Sequence, residues 1–325
     1  MAPSDGAQVP RDQRPSPEDV RYDLDRALAA VVGLRASVPE DAFTAETLGT
    51  ERAGHGVVID GDGLVLTIGY LIAEATEVWL DAARGGPVPA HPIAYDYETG
   101  FGLVRALRPL EVPALILGDS RRARPGVEAV VAGAGGRAHA LMGQIVARQE
   151  FAGYWEYLLD DAIFTAPAHP HWGGTALIGP GGDLLGIGSL QLQHQAGRGQ
   201  VVPLNMMVPI DQLKPILPDL LSQGRARRPA RPWLGLFATE DEDSVVVIGL
   251  AGQGPARRAE LRQGDVIRAV GGEDVDSLLG FYRALWALGE AGVEVPLTLE
   301  REGDVFDLVI RSDDRARYLK VPRPH

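Results

Sequence analysis

Nine serines, seven histidines and no cysteine are the residues from which a nucleophile, a base or a soft metal ligand would have to come. The missing thiol excludes disulfides, thiolate metal sites and a cysteine nucleophile. None of the nine serines (4, 16, 37, 120, 189, 222, 244, 277 and 312) stands in a Gly-x-Ser-x-Gly setting. Ser120, in Asp119-Ser120-Arg121, has the form of a helix cap or turn, and Ser189 that of an ordinary strand hydroxyl. His169-Pro170-His171, with His194 further on, has the residue types of a transition-metal site. An i, i+2 pair held about a proline gives the two rings no reason to converge, so solvated loop histidines and no bound metal are expected. Asp160-Asp161, near Glu150 and Glu156, is expected to be an acidic solvated loop rather than a catalytic carboxylate pair. Tyr154-Trp155-Glu156-Tyr157 concentrates aromatics in a chain that has only 6% of them. It suits either an exposed contact patch or the lid of a barrel. No cofactor is expected.

These residues sit in a chain of 325, 45% apolar and 23% charged, which is globular and long enough for two or three domains. The net charge of −13, without a basic block, argues against nucleic acid as a partner. Lys214 and Lys320 are the only lysines among 31 basic residues, a compositional bias and not a site. The longest apolar runs, 27–34 and 129–134, fall short of the roughly 20 residues of a membrane-spanning helix, so no membrane partner is expected. The polar, proline-rich first 26 residues lack the basic start and apolar stretch of a secretion signal; taken as the true start, they predict a cytoplasmic protein.

The elements that must position the site are mostly strands. Residues 1–21 read as a disordered arm. A helical turn is predicted within 19–30 and a strand at 30–35. Short apolar runs cut by Gly and Pro then recur at 56–60, 64–67, 77–80, 101–106, 128–132, 141–147, 174–178 and 184–190, a spacing that predicts an all-β barrel or sandwich. Two halves, about 22–117 and 118–221, end in a predicted helix over 210–221. Residues 222–232, basic and rich in Pro and Gly, read as a linker. Residues 233–312 alternate strands (233–238, 245–249, 266–270, 295–301, 305–311) with helices at 255–260 and 278–288, and 313–325 read as a charged tail.

The run Gly254-Pro255-Ala256-Arg257-Arg258-Ala259-Glu260-Leu261-Arg262-Gln263-Gly264-Asp265-Val266-Ile267, with Val270-Gly271-Gly272 and Trp233-Leu234-Gly235-Leu236, resembles the PDZ domain of HtrA-type serine proteases. The resemblance implies a groove that takes a protein or peptide C-terminus. Gly235 lets the backbone amides approach a carboxylate, and the peptide adds as a strand beside Leu236 and Phe237. On the following helix, Leu278, Phe281, Leu285 and Leu288 form a core stripe. Tyr282 and Trp286 either face the groove or belong to the core. The peptide-binding set is therefore Trp233, Leu234, Gly235, Leu236, Phe237, Tyr282 and Trp286.

Upstream, Gly54-His55-Gly56-Val57-Val58-Ile59-Asp60-Gly61-Asp62-Gly63-Leu64-Val65-Leu66-Thr67 resembles the opening of the HtrA/Deg trypsin-like domain. The resemblance covers about residues 25–312 and implies two six-stranded β-barrels followed by the PDZ domain. The positions it assigns to the triad hold Tyr70 for His, Gly100 for Asp and Trp172 for Ser, in Pro170-His171-Trp172-Gly173-Gly174-Thr175-Ala176-Leu177. Asp96 matches a separate, non-catalytic aspartate. Pro170 stands where a backbone N–H should receive the oxyanion. Ser–His–Asp chemistry needs all of these groups, so the expectation is a pseudoprotease: not an enzyme, but a scaffold or adaptor that binds a protein or a C-terminus. The alternatives are a hydrolase with relocated catalytic residues and a chaperone for unfolded chains. Family members are often trimers built on N-terminal aromatics; with only Tyr22 in that region, a homo-oligomer stays open.

Overall fold

The computed structural model describes residues 8–82, 85–196 and 200–320. The described residues divide into two compact units, 8–149 with Asp161–Arg227, and Glu150–Asp160 with Arg228–Lys320.

The first unit holds two closed barrels. β1 (Val31–Ser37), β2 (Glu51–Val58), β3 (Leu64–Ile68), β4 (Glu77–Asp81), β5 (Pro87–Tyr95) and β6 (Phe101–Ala106) close in the order β1-β2-β3-β6-β5-β4. β7 (Glu128–Ala132), β8 (Ala140–Gly153), β9 (Tyr157–Ala166), β10 (Ala176–Ile178), β11 (Leu184–Ala196) and β12 (Gln200–Pro209) close in the order β10-β11-β12-β9-β8-β7. Closure removes the unpaired edges an open sheet would leave. β4 alternates buried and exposed side chains, whereas β3 is buried throughout. The fold is mainly β, with the predicted two six-stranded trypsin-like barrels.

Helices are short. α1 (Leu24–Ala29) is capped by Asp23, whose side chain accepts from the Arg26 amide, and α2 is Ala45–Leu48. The helix predicted over 210–221 is instead a turn at Ile210–Gln212 followed by α3 (Leu217–Gln223), because Pro215 and Pro218 lack the donors a continuous helix needs.

The second unit contains β13 (Leu236–Asp241), β14 (Ser244–Leu250), α4 (Pro255–Arg258), β15 (Val266–Val270), β16 (Glu273–Asp274), α5 (Leu278–Ala287), β17 (Glu294–Arg301) and β18 (Asp304–Arg311). The sheet runs β13-β14-β15-β17-β18, with β16 pairing β15. Ser277 caps α5 by accepting from the Gly280 amide. Phe281 and Leu285 of α5 are fully buried against Leu236, Val245, Ile267 and Leu297, as the predicted stripe required.

Three segments differ from their sequence reading. Residues 8–20 are not a loose arm: Val9 is 1% exposed, packs in the second barrel's core and donates its amide to the Ala138 carbonyl. One apolar residue anchors the segment, a signal too small for composition to register; residues 1–7 of that arm lie outside the described residues. The segment read as a linker ends packed within the second unit, where Ala230 accepts from the Ala291 amide and the Arg231 guanidinium lies 4.3 Å from the Trp286 ring centroid. The tail pairs in both directions between Trp233 and Asp313, and Tyr318 packs 4.8 Å from the Trp233 ring, while residues 321–325 lie outside the described residues.

Candidate functional site

In the first unit the positions Tyr70, Gly100 and Trp172 are drawn around one seam. β3 runs into a turn at Gly69–Leu71, where the Gly69 amide donates to the Gly100 carbonyl at 2.6 Å. Gly69 is pressed against the Tyr95 ring, so no side chain fits there. Arg52 fixes the turn by donating to the carbonyls of Tyr70 and Ala73 at 2.7 and 3.0 Å. The Tyr70 hydroxyl donates to the Ser189 carbonyl at 2.9 Å and lies beside Gly173, next to Trp172. The Trp172 carbonyl accepts from the Thr175 amide and hydroxyl at 3.2 and 2.9 Å. Desolvation pushes the Tyr70 phenol well above its usual range; as a protonated donor to a carbonyl it is locked in place. Asp96 serves the neighbouring turn, accepting from the Thr99 amide and hydroxyl at 3.0 and 2.6 Å.

Of the three histidines expected to be solvated, His194 is exposed and His171 half-buried, whereas His169 is buried. His169 is 1% exposed; its amide donates to Asn205 Oδ1 at 2.6 Å, and its ring nitrogens lie 3.0 Å from the carbonyls of His171 and His139. His55 of β2 completes the cluster: its ring stands edge-on to His169 with centroids 6.3 Å apart, and Nδ1 accepts from the Ala134 amide at 3.1 Å. Desolvation first, and the neighbouring imidazoles second, pull His55 down to about 3 and lower His169 and His139 as well. His194 lies elsewhere, paired with Val202 between β11 and β12. Among the described residues no group of three His, Asp or Glu is placed to hold a metal ion. Sequence spacing could not find this cluster, since His55 on the first barrel and His169 on the second are 114 residues apart and meet only where the two barrels pack together.

The second unit carries a carboxylate nest. Gly235 has φ +76°, and a Cβ there would stand 2.9 Å from the Gly254 Cα, so glycine is required. The amides of Leu234, Gly235 and Leu236 turn inward together. They converge on the Glu156 carboxylate: Leu234 N to Oε2 at 2.9 Å, and Gly235 N and Leu236 N to Oε1 at 2.6 and 3.0 Å. Two residues along β13, the Ala238 amide donates to the Tyr154 carbonyl at 2.9 Å. Tyr282 is fully buried; its hydroxyl donates to the Gly153 carbonyl at 2.8 Å and accepts from the Glu156 amide at 3.1 Å. Trp286 stacks on Tyr282 at 5.4 Å, and Phe237 meets the Tyr154 ring at 6.0 Å.

Of the predicted peptide-binding set, Leu234, Gly235, Leu236, Phe237 and Tyr282 therefore surround one place, and Trp286 backs Tyr282. Trp233 points its ring to Tyr318 instead. Glu156 was expected in an acidic solvated loop, yet it is 8% exposed. Burial pushes its carboxyl up to about 7, against the pull of the three amides and of Arg315. The aromatics around it are divided: Tyr154 is 47% exposed, whereas Tyr157 is buried and Trp155 stacks on it at 5.4 Å within the second unit. An acidic residue between aromatics was the available signal, but its partner stands 78 residues further along the chain.

The trypsin-like peptidase domain family matches residues 54–187, and the PDZ domain family matches residues 232–311. A "Probable periplasmic serine endoprotease DegP-like" of Chlamydia trachomatis is 23% identical over 79% of this chain and 53% of its own length. One of the same name from Pseudomonas fluorescens is 25% identical over 78% and 54%. The "Serine protease Do-like HtrA" of Bacillus subtilis is 21% identical over 91% and 72%. The chain thus spans about half the length of the first two relatives. The solved structure "HtrA-type protease AlgW with decapeptide" is 22% identical, covers 92% of this chain and 98% of its own, and has a TM-score of 0.52, a likeness of fold. No described helix is long and apolar enough to cross a membrane. Two expectations are corrected by these relatives. Their serine-endoprotease names overturn the reading of the chain as no enzyme, and the periplasmic names overturn the cytoplasmic one. The physical reason is the same in both cases: three positions and a polar first segment are local features, and neither fixes what a whole chain does or where it is sent.

Proposed function

The chain belongs to the HtrA-type family, a trypsin-like peptidase domain carrying a PDZ domain, and on that premise we propose that it works on protein or peptide substrates in the periplasm, held by their C-termini in the PDZ groove. The observation that carries this reading is the set of three amides, Leu234, Gly235 and Leu236, aimed at one carboxylate beside a β13 amide that donates to a strand partner. Backbone amides converging on a carboxylate give affinity for a chain terminus, and strand addition fixes the chain's direction.

The names of the relatives point to peptide-bond hydrolysis. Tyr70 is a locked phenol donor, Gly100 has no side chain and Trp172 has no nucleophilic atom. In our reading, turnover in this chain therefore comes from groups other than those three. Casein turnover is expected to survive Tyr70→Phe; its loss in a folded variant would put the phenol in the reaction.

The groove itself is tested by fluorescence anisotropy with a pool of labelled decapeptides carrying free C-terminal carboxylates and with the same pool amidated. Amidation removes the charge the amides receive, so it is expected to weaken binding at least about tenfold. Gly235→Val, which puts a β-branched residue at φ +76° against Gly254, is expected to abolish it. Equal binding of free and amidated peptides would overturn the reading.

A further inference from the structure

The nest is already filled by the chain itself. From this we propose that the hairpin tip Glu150–Asp160 is a resident ligand of the PDZ groove, with Glu156 standing in for a C-terminal carboxylate, so that an incoming terminus binds only by displacing it. This rests on the peptide-binding reading of the groove.

Three independent contacts copy what a bound terminus would make. The Glu156 side-chain carboxylate takes all three nest amides. Tyr154, two residues earlier, offers its carbonyl to Ala238, two residues after Leu236; a two-residue step in both chains is the period of strand pairing. Tyr282 on α5 then clamps the tip from the other side, bonding Gly153 and Glu156 at once. Glu156 adopts φ +58°, a left-handed conformation that a residue with a side chain keeps only where its surroundings over-determine it. At the base of the tip, Arg283 of α5 pairs with Glu150 and with Asp160, at 3.3 Å for the latter, so the same helix that borders the groove holds both ends of the insert. Leu158 is buried in the core of the same unit.

A ligand tethered in cis competes at an effective concentration in the millimolar range, about that of short linked modules. A peptide then sees only the fraction of grooves in which the tip is out, and its apparent affinity falls by that fraction.

Two measurements on the full chain separate the possibilities. Glu156→Ala and Glu156→Gln are expected to bind a labelled free-carboxylate decapeptide at least about tenfold more tightly than the wild type, because the competitor is removed. Hydrogen exchange without any peptide is the second: the Leu234, Gly235 and Leu236 amides are expected to be protected in the wild type and to exchange faster in Glu156→Ala, while core amides of β15 and β17 keep their protection. If exchange at the three amides is unchanged by the substitution, the resident ligand is refuted whatever the peptide does. Equal peptide affinity of wild type and variants likewise overturns it while leaving the groove's own function standing. Faster exchange in Glu156→Ala with no peptide bound by any form upholds the internal ligand and defeats the peptide reading instead.

Discussion

Lowering the pH from 7 to 4 is expected to strip about 3 kcal/mol of folding stability from the protein through His55 alone, as the difference between an imidazole titrating near its model value when unfolded and near 3 when folded. The sign follows from proton counts. A depressed imidazole binds fewer protons in the folded chain than in the unfolded one between those values. Its contribution is therefore complete above pH 6.5 and is lost as the pH falls towards 3. The structure gives the cause. Nδ1 accepts from the Ala134 amide, so the neutral ring carries its proton on Nε2, a buried atom with no hydrogen-bond partner among the described residues. A second proton on Nδ1 would face an N–H and would place a charge beside His169, His171 and His139. The measurement is urea unfolding at pH 7 and pH 4 for the wild type and for His55→Gln, which stays uncharged at both. The variant is expected to show a pH dependence smaller by about that amount. Carboxylates contribute equally to both proteins and drop out of the difference. Equal pH dependence would show that the ring titrates normally.

Gly174→Ala is expected to cost about 2–5 kcal/mol, enough to leave a marginal domain unfolded. Gly174 has φ +78°, and a Cβ there would collide with the His55 carbonyl and stand 2.8 Å from Thr67 Oγ1. That carbonyl is already held by the Thr67 hydroxyl at 2.6 Å, and the His55 amide donates to Gly173 at 2.9 Å, so neither side can yield. A left-handed alanine alone costs about 1–2 kcal/mol, and displacing a buried backbone acceptor adds about 1–3 kcal/mol. Gly136→Ala is the control. It has φ +69° with open space around it, so it should show only the conformational cost. Urea midpoints for the two variants that agree would mean that the close approach of β2 to Gly173-Gly174 carries no weight.

Much of the site was legible in residue order. Leu234-Gly235-Leu236 marked an amide nest because glycine lets the backbone approach closely, and Tyr282, at the fifth position of α5, stood open between groove and core. Tyr70, Gly100 and Trp172 were placed by motif frame; the Tyr70 hydroxyl lies against Gly173 and the Ser189 carbonyl, and Gly100 bonds the neighbouring Gly69. The two histidines at 169 and 171 were legible as residues but not as environment: burial depends on His55 and Asn205, which come from other strands.

Strand period, turn glycines and the motif frame are local, and they suffice for a mainly β chain with two trypsin-like barrels and a PDZ domain with its groove. Tertiary structure alone decided what fills that groove. Glu156 reads as solvated because charged residues between turns usually are, and no pattern of neighbours records a bond to an amide 78 residues away. A buried carboxylate is stable only with partners supplied by another part of the fold, so its role becomes visible only when those parts are brought together.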